Sequence, residues 1–121
     1  MPRSVNFLIT PLRFTAWMLV LVITALSLVP PDLRPETSAP HVLEHTAIFA
    51  ATGAAFGFGY NQRPYLALVG LIIFAAAIEL AQLAAPGRHA RLGDFVIDAA
   101  ASCAGAAVAA IIIARMPHWP T

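Results

Sequence analysis

The chain has no lysine, a single cysteine and only six acidic residues, and charged side chains fill 11% of its 121 positions. Each shortage excludes something. Soluble domains carry roughly 25% charged residues, so this chain has too little polar surface to cover itself in water. One cysteine, Cys103, excludes an intrachain disulfide, and its setting in Ala-Ser-Cys-Ala-Gly-Ala-Ala marks it as a packing residue. A net charge of +1 without a basic stripe excludes a nucleic-acid partner. There is no HxxxH, ExxH or cysteine pair to give metal-ligand spacing, and no GxSxG elbow around Ser102 or Thr46. Neither a metal nor another cofactor is expected. No internal repeat stands out, and the length leaves room for one compact unit.

What the chain does have is apolar length, with 60% hydrophobic residues. A membrane-spanning helix needs about 20 mostly apolar residues. Four segments meet that requirement, from about Leu12 to Val29, Val42 to Tyr60, Tyr65 to Ala85 and Gly93 to Arg115. Breakers separate them: Pro30, Pro31 and Pro35, then Asn61-Gln62-Arg63-Pro64, then Pro86-Gly87, with Pro117 closing the last. The pattern predicts an all-α integral membrane protein, a four-helix antiparallel bundle occupying 1–121 as one domain. The first segment reads as a span rather than a cleaved leader, because its apolar run is long and lacks a small-x-small cleavage site near Pro30.

All seven basic residues are arginine. With both termini cytoplasmic, Arg3, Arg13, Arg63 and Arg115 lie inside and Arg34, Arg88 and Arg91 outside, an inward excess of the expected sign. The expected location is therefore the cytoplasmic membrane of a bacterium. Gly53-Ala-Ala-Phe-Gly57 and Ala101-Ser-Cys-Ala-Gly105 are small-xxx-small stripes. Such stripes let helix backbones approach closely in lipid, within one chain or between copies in a homo-oligomer.

Polar residues inside these runs carry the functional signal. Glu79 and Gln82 sit in the third run, and Asp94 and Asp98 in the fourth. An ionisable group within a bilayer costs at least a few kcal/mol, so it faces protein or water and marks function by default. Alternating connectivity brings the start of the second helix, the end of the third and the start of the fourth to one membrane face. Glu44 and His45, Glu79 and Gln82, Arg88, His89 and Arg91, and Asp94 and Asp98 all fall there. At 1.5 Å per residue, Glu79 and Asp98 lie roughly 8–10 Å below that face. The pairs Glu79/Gln82 (i,i+3) and Asp94/Asp98 (i,i+4) each share one side of a helix. Asp94 also suits a helix N-terminus, whose dipole is positive there. Asp98, one turn deeper, requires a partner such as Arg88, Arg91 or His45. A structural salt-bridge network is the plain alternative, but buried ion pairs rarely outdo apolar packing in stability, which favours a site. His41, Trp17, His118 and Trp119 read as interfacial anchors.

This order of residues resembles the VanZ-like family of small membrane proteins. The resemblance rests on His45 with Phe49 four residues on, Glu79-Leu-Ala-Gln82, Pro86-Gly-Arg88, Asp94, and a small-residue helix with Gly105. It covers roughly His41 to Ala110. Two departures stand out: His41-Val42 replaces the family's Asp-Lys pair, and Asp98 stands where an Asn is common. The resemblance implies an envelope role. Named members are associated with resistance to the lipoglycopeptide teicoplanin.

The function expected on these grounds is a polar pocket near the outer membrane face for a membrane lipid or lipid-linked amphiphile. Arg88 and Arg91 would hold an anionic head, since arginine suits bidentate phosphate or carboxylate binding. His45 and Glu79 would move protons, Gln82 would orient, and Glu44, Asp94 and Asp98 would support. Whether a bond is broken is left open. One competing expectation is an assembly subunit without chemistry. Another is a small proton-coupled exporter, although exporters of that size carry an acid in their first span and Leu12–Val29 has none.

Overall fold

The computed structural model describes residues 3–28, 41–84 and 92–116. Their regular structure is helical throughout: α1 (Arg3–Leu28), α2 (His41–Gly59), α3 (Pro64–Ala84) and α4 (Leu92–Ala114). The segments expected to break the helices at Pro30 to Pro35, Pro86-Gly87 and Pro117 lie outside the described residues.

Local chemistry accounts for most of the helix ends. α3 begins on Pro64, whose missing N–H is no loss in a first turn and whose fixed φ suits helix entry. The link from α2 is tight, with the amide N of Arg63 donating to the Tyr60 carbonyl at 3.3 Å. α1 starts at Arg3, nine residues before the expected Leu12, and runs through Pro11. Proline forfeits a single backbone hydrogen bond. The amides on either side of it keep their helical hydrogen bonds, so the helix continues through it.

Among the described residues, three helices have stretches long and apolar enough to cross a membrane: Ile9–Leu28, Pro64–Gln82 and Phe95–Ala114. The apolar part of α2 is shorter, Thr46–Gly59, because Glu44 and His45 occupy its opening turns. That shortness has a tertiary counterpart, since α1, α3 and α4 all pack against α2. Outward-facing side chains elsewhere are large and apolar, including Phe14 and Leu21 on α1, Leu66 and Ile73 on α3, and Ile111 on α4. A surface of this kind matches hydrocarbon better than water.

The closest helix pair is α2 with α4, joined through glycine. A Cβ added at Gly53 would meet the Ser102 carbonyl oxygen, and one at Gly105 would meet the Ala50 carbonyl oxygen. A Cβ on Gly57 would come within 2.7 Å of the Ala109 Cβ. The two helices are therefore in backbone contact, with glycine Cα–H groups aimed at carbonyls, a weak but favourable interaction. The small-xxx-small stripes are used within the chain. Progress along α2 from Gly53 to Gly57 matches progress along α4 from Ser102 to Ala109, so these helices point the same way. Against α1 the order reverses: Arg13 meets Gly59, while Ile23 joins the cluster holding Phe49. That cluster (Ile23, Phe49, Ala75, Ile78 and Ala101) draws on all four helices and is the core.

Candidate functional site

Helix direction sorts charge. Within the described segments the acids are Glu44, Asp94, Asp98 and Glu79, placed near the starts of α2 and α4 and the end of α3. The arginines there are Arg3, Arg13, Arg63 and Arg115, near the start of α1, the α2–α3 link and the end of α4. The helix contacts put these two sets at opposite ends of the bundle.

At the acidic end, three of the expected site residues are enclosed: Glu79 at 7% exposure, Gln82 at 5% and Asp98 at 1%. Glu79 stands five residues before the end of α3 and Asp98 six after the start of α4. Those offsets correspond to depths of about 8 Å and about 9 Å. Ile78, next to Glu79, and Ala101, three residues after Asp98, belong to the same core cluster. Glu44 is half-buried in the first turn of α2. His45 lies on α2 and Asp94 on α4, as expected from the sequence, but their side chains lie outside what is described. Arg88, His89 and Arg91, and the tail anchors His118 and Trp119, fall outside the described residues altogether.

Packing adds two buried polar residues near the middle of the bundle that spacing alone underplays. Thr52 and Ser102 are fully buried. The Thr52 hydroxyl donates to the Ile48 carbonyl at 2.7 Å, the usual resting place for a helical threonine. Ser102 Oγ is buried with no hydrogen-bond partner among the described residues. Asp94, Asp98 and Ser102 form an i,i+4,i+8 series down one side of α4. That series was the sequence signal for Ser102. Thr52 had none, because an isolated threonine among alanines is common in membrane helices. An orphaned buried hydroxyl costs about 1–3 kcal/mol. Ser102→Ala should therefore raise stability by about 1 kcal/mol, read as a higher Tm in detergent. No change, or a loss, would show that the hydroxyl is partnered.

No three His, Cys, Asp or Glu side chains converge on a metal-sized site among the described residues. Cys103 is half-buried on α4.

The basic end is built from side chains that the sequence did not single out as a group. Arg13 Nε donates to the Gly59 carbonyl at 2.8 Å, and its guanidinium carbon lies 4.5 Å from the centre of the Tyr60 ring. Trp17 Nε1 donates to the Tyr60 hydroxyl at 2.9 Å. Trp17 meets Phe56 edge-on at 5.3 Å, and Phe56 stacks on Tyr60 at 5.8 Å. Two i,i+4 pairs, Arg13/Trp17 and Phe56/Tyr60, make this lock between α1 and α2. The signal was present, but it becomes legible only once the two helices are known to run in opposite senses.

No family model matches the chain, and the comparisons with curated proteins and with solved structures returned no match.

Proposed function

We propose that the chain is an integral membrane protein of the VanZ-like kind in a bacterial cytoplasmic membrane, an antiparallel four-span bundle with both termini cytoplasmic. Its acidic end, in the outer half of the bilayer, binds or processes an amphiphile. In this reading Arg88 and Arg91 take an anionic head, and His45 and Glu79 move protons. Gln82 orients the head, while Glu44, Asp94 and Asp98 hold the basic groups in place. The apolar tail lies in lipid beside α2. The positive-inside tendency supports this orientation, with Arg3, Arg13, Arg63 and Arg115 on the cytoplasmic side against Arg34, Arg88 and Arg91 outside.

One observation carries the reading: Glu79 and Asp98 are enclosed at like depth, with Gln82 enclosed one turn nearer the helix end, on two helices of membrane-spanning length. Polar groups placed there cost stability, and a site is the usual reason for keeping them. The test is photolabelling of the protein in lipid nanodiscs by a decyl phosphate with a diazirine in its chain. Label should map to the start of α2, the end of α3 and the start of α4, and Glu79→Gln should deplete it there. Label spread evenly over the bundle, or indifferent to Glu79→Gln, would remove the pocket.

The enclosure of Glu79, Gln82 and Asp98 among packed helices also fits a second reading, an assembly subunit without chemistry in which these groups tie helices together. Replacing Glu79, Gln82 and Asp98 together separates the two. Loss of folded protein supports assembly, whereas normal folding with lost labelling supports a site.

A further inference from the structure

The opposite, basic end contains a cavity of about 410 Å³ between α1, the end of α2 and α3. That volume falls in the roughly 300–1,000 Å³ range of small-molecule sites. Arg13, Tyr60, Gln62 and Arg63 line it, and Val20, Leu66, Leu71 and Phe74 are among its apolar residues. No acidic residue lines it. We propose that this groove binds one anionic phospholipid of the adjacent leaflet, its phosphate between Arg13 and Arg63 and an acyl chain running along α3 toward Phe74.

Three features select that occupant. Charge is the first. Arg63 is exposed, and Arg13, whose Nε is committed to Gly59, is anchored; both line the groove. The Tyr60 hydroxyl accepts the Trp17 indole N–H and keeps its own hydrogen to donate. Two guanidinium groups and a hydroxyl donor, with no carboxylate nearby, match a phosphodiester. Length is the second. Arg63 to Phe74 spans eleven residues of chain, roughly 16 Å along a helix, which is about half of a roughly 30 Å hydrocarbon core. The groove is thus one leaflet deep. Shape is the third. Gly70 lines the groove and has nothing within 4 Å of where its Cβ would be, so the wall is open where a chain must lie. The site relies on the membrane-embedded reading but not on the amphiphile pocket at the far end.

Native mass spectrometry of the full chain, released from micelles holding equal phosphatidylglycerol and phosphatidylcholine with the same acyl chains, tests this. The wild type should retain phosphatidylglycerol in clear preference. Arg63→Gln should reduce that preference about fivefold, near the worth of one arginine at an anionic surface. Gly70→Leu, combined with Glu79→Gln so that the far pocket holds no amphiphile, should abolish retention of both lipids. Leu66→Trp in the same background, filling the same groove from its exposed rim, serves if Gly70→Leu does not fold. Arg115→Gln, at the same end but off the groove, should change nothing. Glycerol phosphate without acyl chains should not be retained. The proposal is overturned if the two lipids are held equally or if a groove-filling variant still retains lipid. It is also overturned if Arg115→Gln acts like Arg63→Gln, which would mean bulk surface charge, or if glycerol phosphate binds as well as lipid. Glu79→Gln should leave phosphatidylglycerol retention intact, so failure of one site is distinguishable from failure of the other.

Discussion

Gly105→Ala should destabilise the protein strongly in detergent. The added methyl would land on the Ala50 carbonyl and within 2.9 Å of the Ala54 amide nitrogen. Both obstacles are backbone, so no side chain can rotate away and α2 must separate from α4. Overpacking a tight core costs about 1–3 kcal/mol, occasionally more. Backbone against backbone puts this case at or above the top of that range, a fall in Tm of roughly 10 °C or more. Gly70→Ala is the control: its Cβ enters open space, so stability should hold or rise slightly, as alanine favours helix over glycine by about 1 kcal/mol. Circular dichroism melts of the two variants side by side decide the matter. Equal midpoints would mean that the α2–α4 seam is looser than described.

Asp98→Asn should leave the bundle folded while reducing labelling of the acidic end at least tenfold. Asparagine keeps the shape of a side chain only 1% exposed and its capacity to accept a hydrogen bond, but not its charge. If Asp98 holds an arginine or histidine toward an anionic head, losing the charge removes a charge-assisted bond. Such bonds contribute about 1.5–3 kcal/mol, between about tenfold and about a hundredfold in affinity. An Asp98 that only ties helices together gives the opposite pattern, with a lower Tm and labelling that falls only in proportion to unfolded protein. Measuring Tm and diazirine incorporation on the same preparation separates the two.

Apolar run length and proline placement were enough to find all four helices, with the α2–α3 link falling where Asn61-Gln62-Arg63-Pro64 implied it. Depth matching of Glu79 and Asp98 was also legible, because helical rise converts position in the chain into height. The early start of α1 was not. Pro11 looks like a boundary on paper, and only helical continuity on both sides of it says otherwise. Run length predicts a full span from Val42 to Tyr60, but Glu44 and His45 shorten the apolar stretch of α2 to Thr46–Gly59, and its tolerance depends on three neighbours packing against it. The Arg13–Trp17–Tyr60 lock and the groove beside it escaped notice because their residues come from three helices and no single stretch of chain is unusual.

The amino-acid order alone determined that this is a chain of apolar helices with its acids near particular helix ends, because hydropathy and helical rise are local properties. Tertiary structure decided that Gly53, Gly57 and Gly105 bring α2 and α4 into backbone contact, and that Glu79, Gln82 and Asp98 are enclosed rather than facing outward. It also left a groove open beside Gly70. Which face of a helix meets which neighbour depends on how four helices close around one another, and no single helix carries that information.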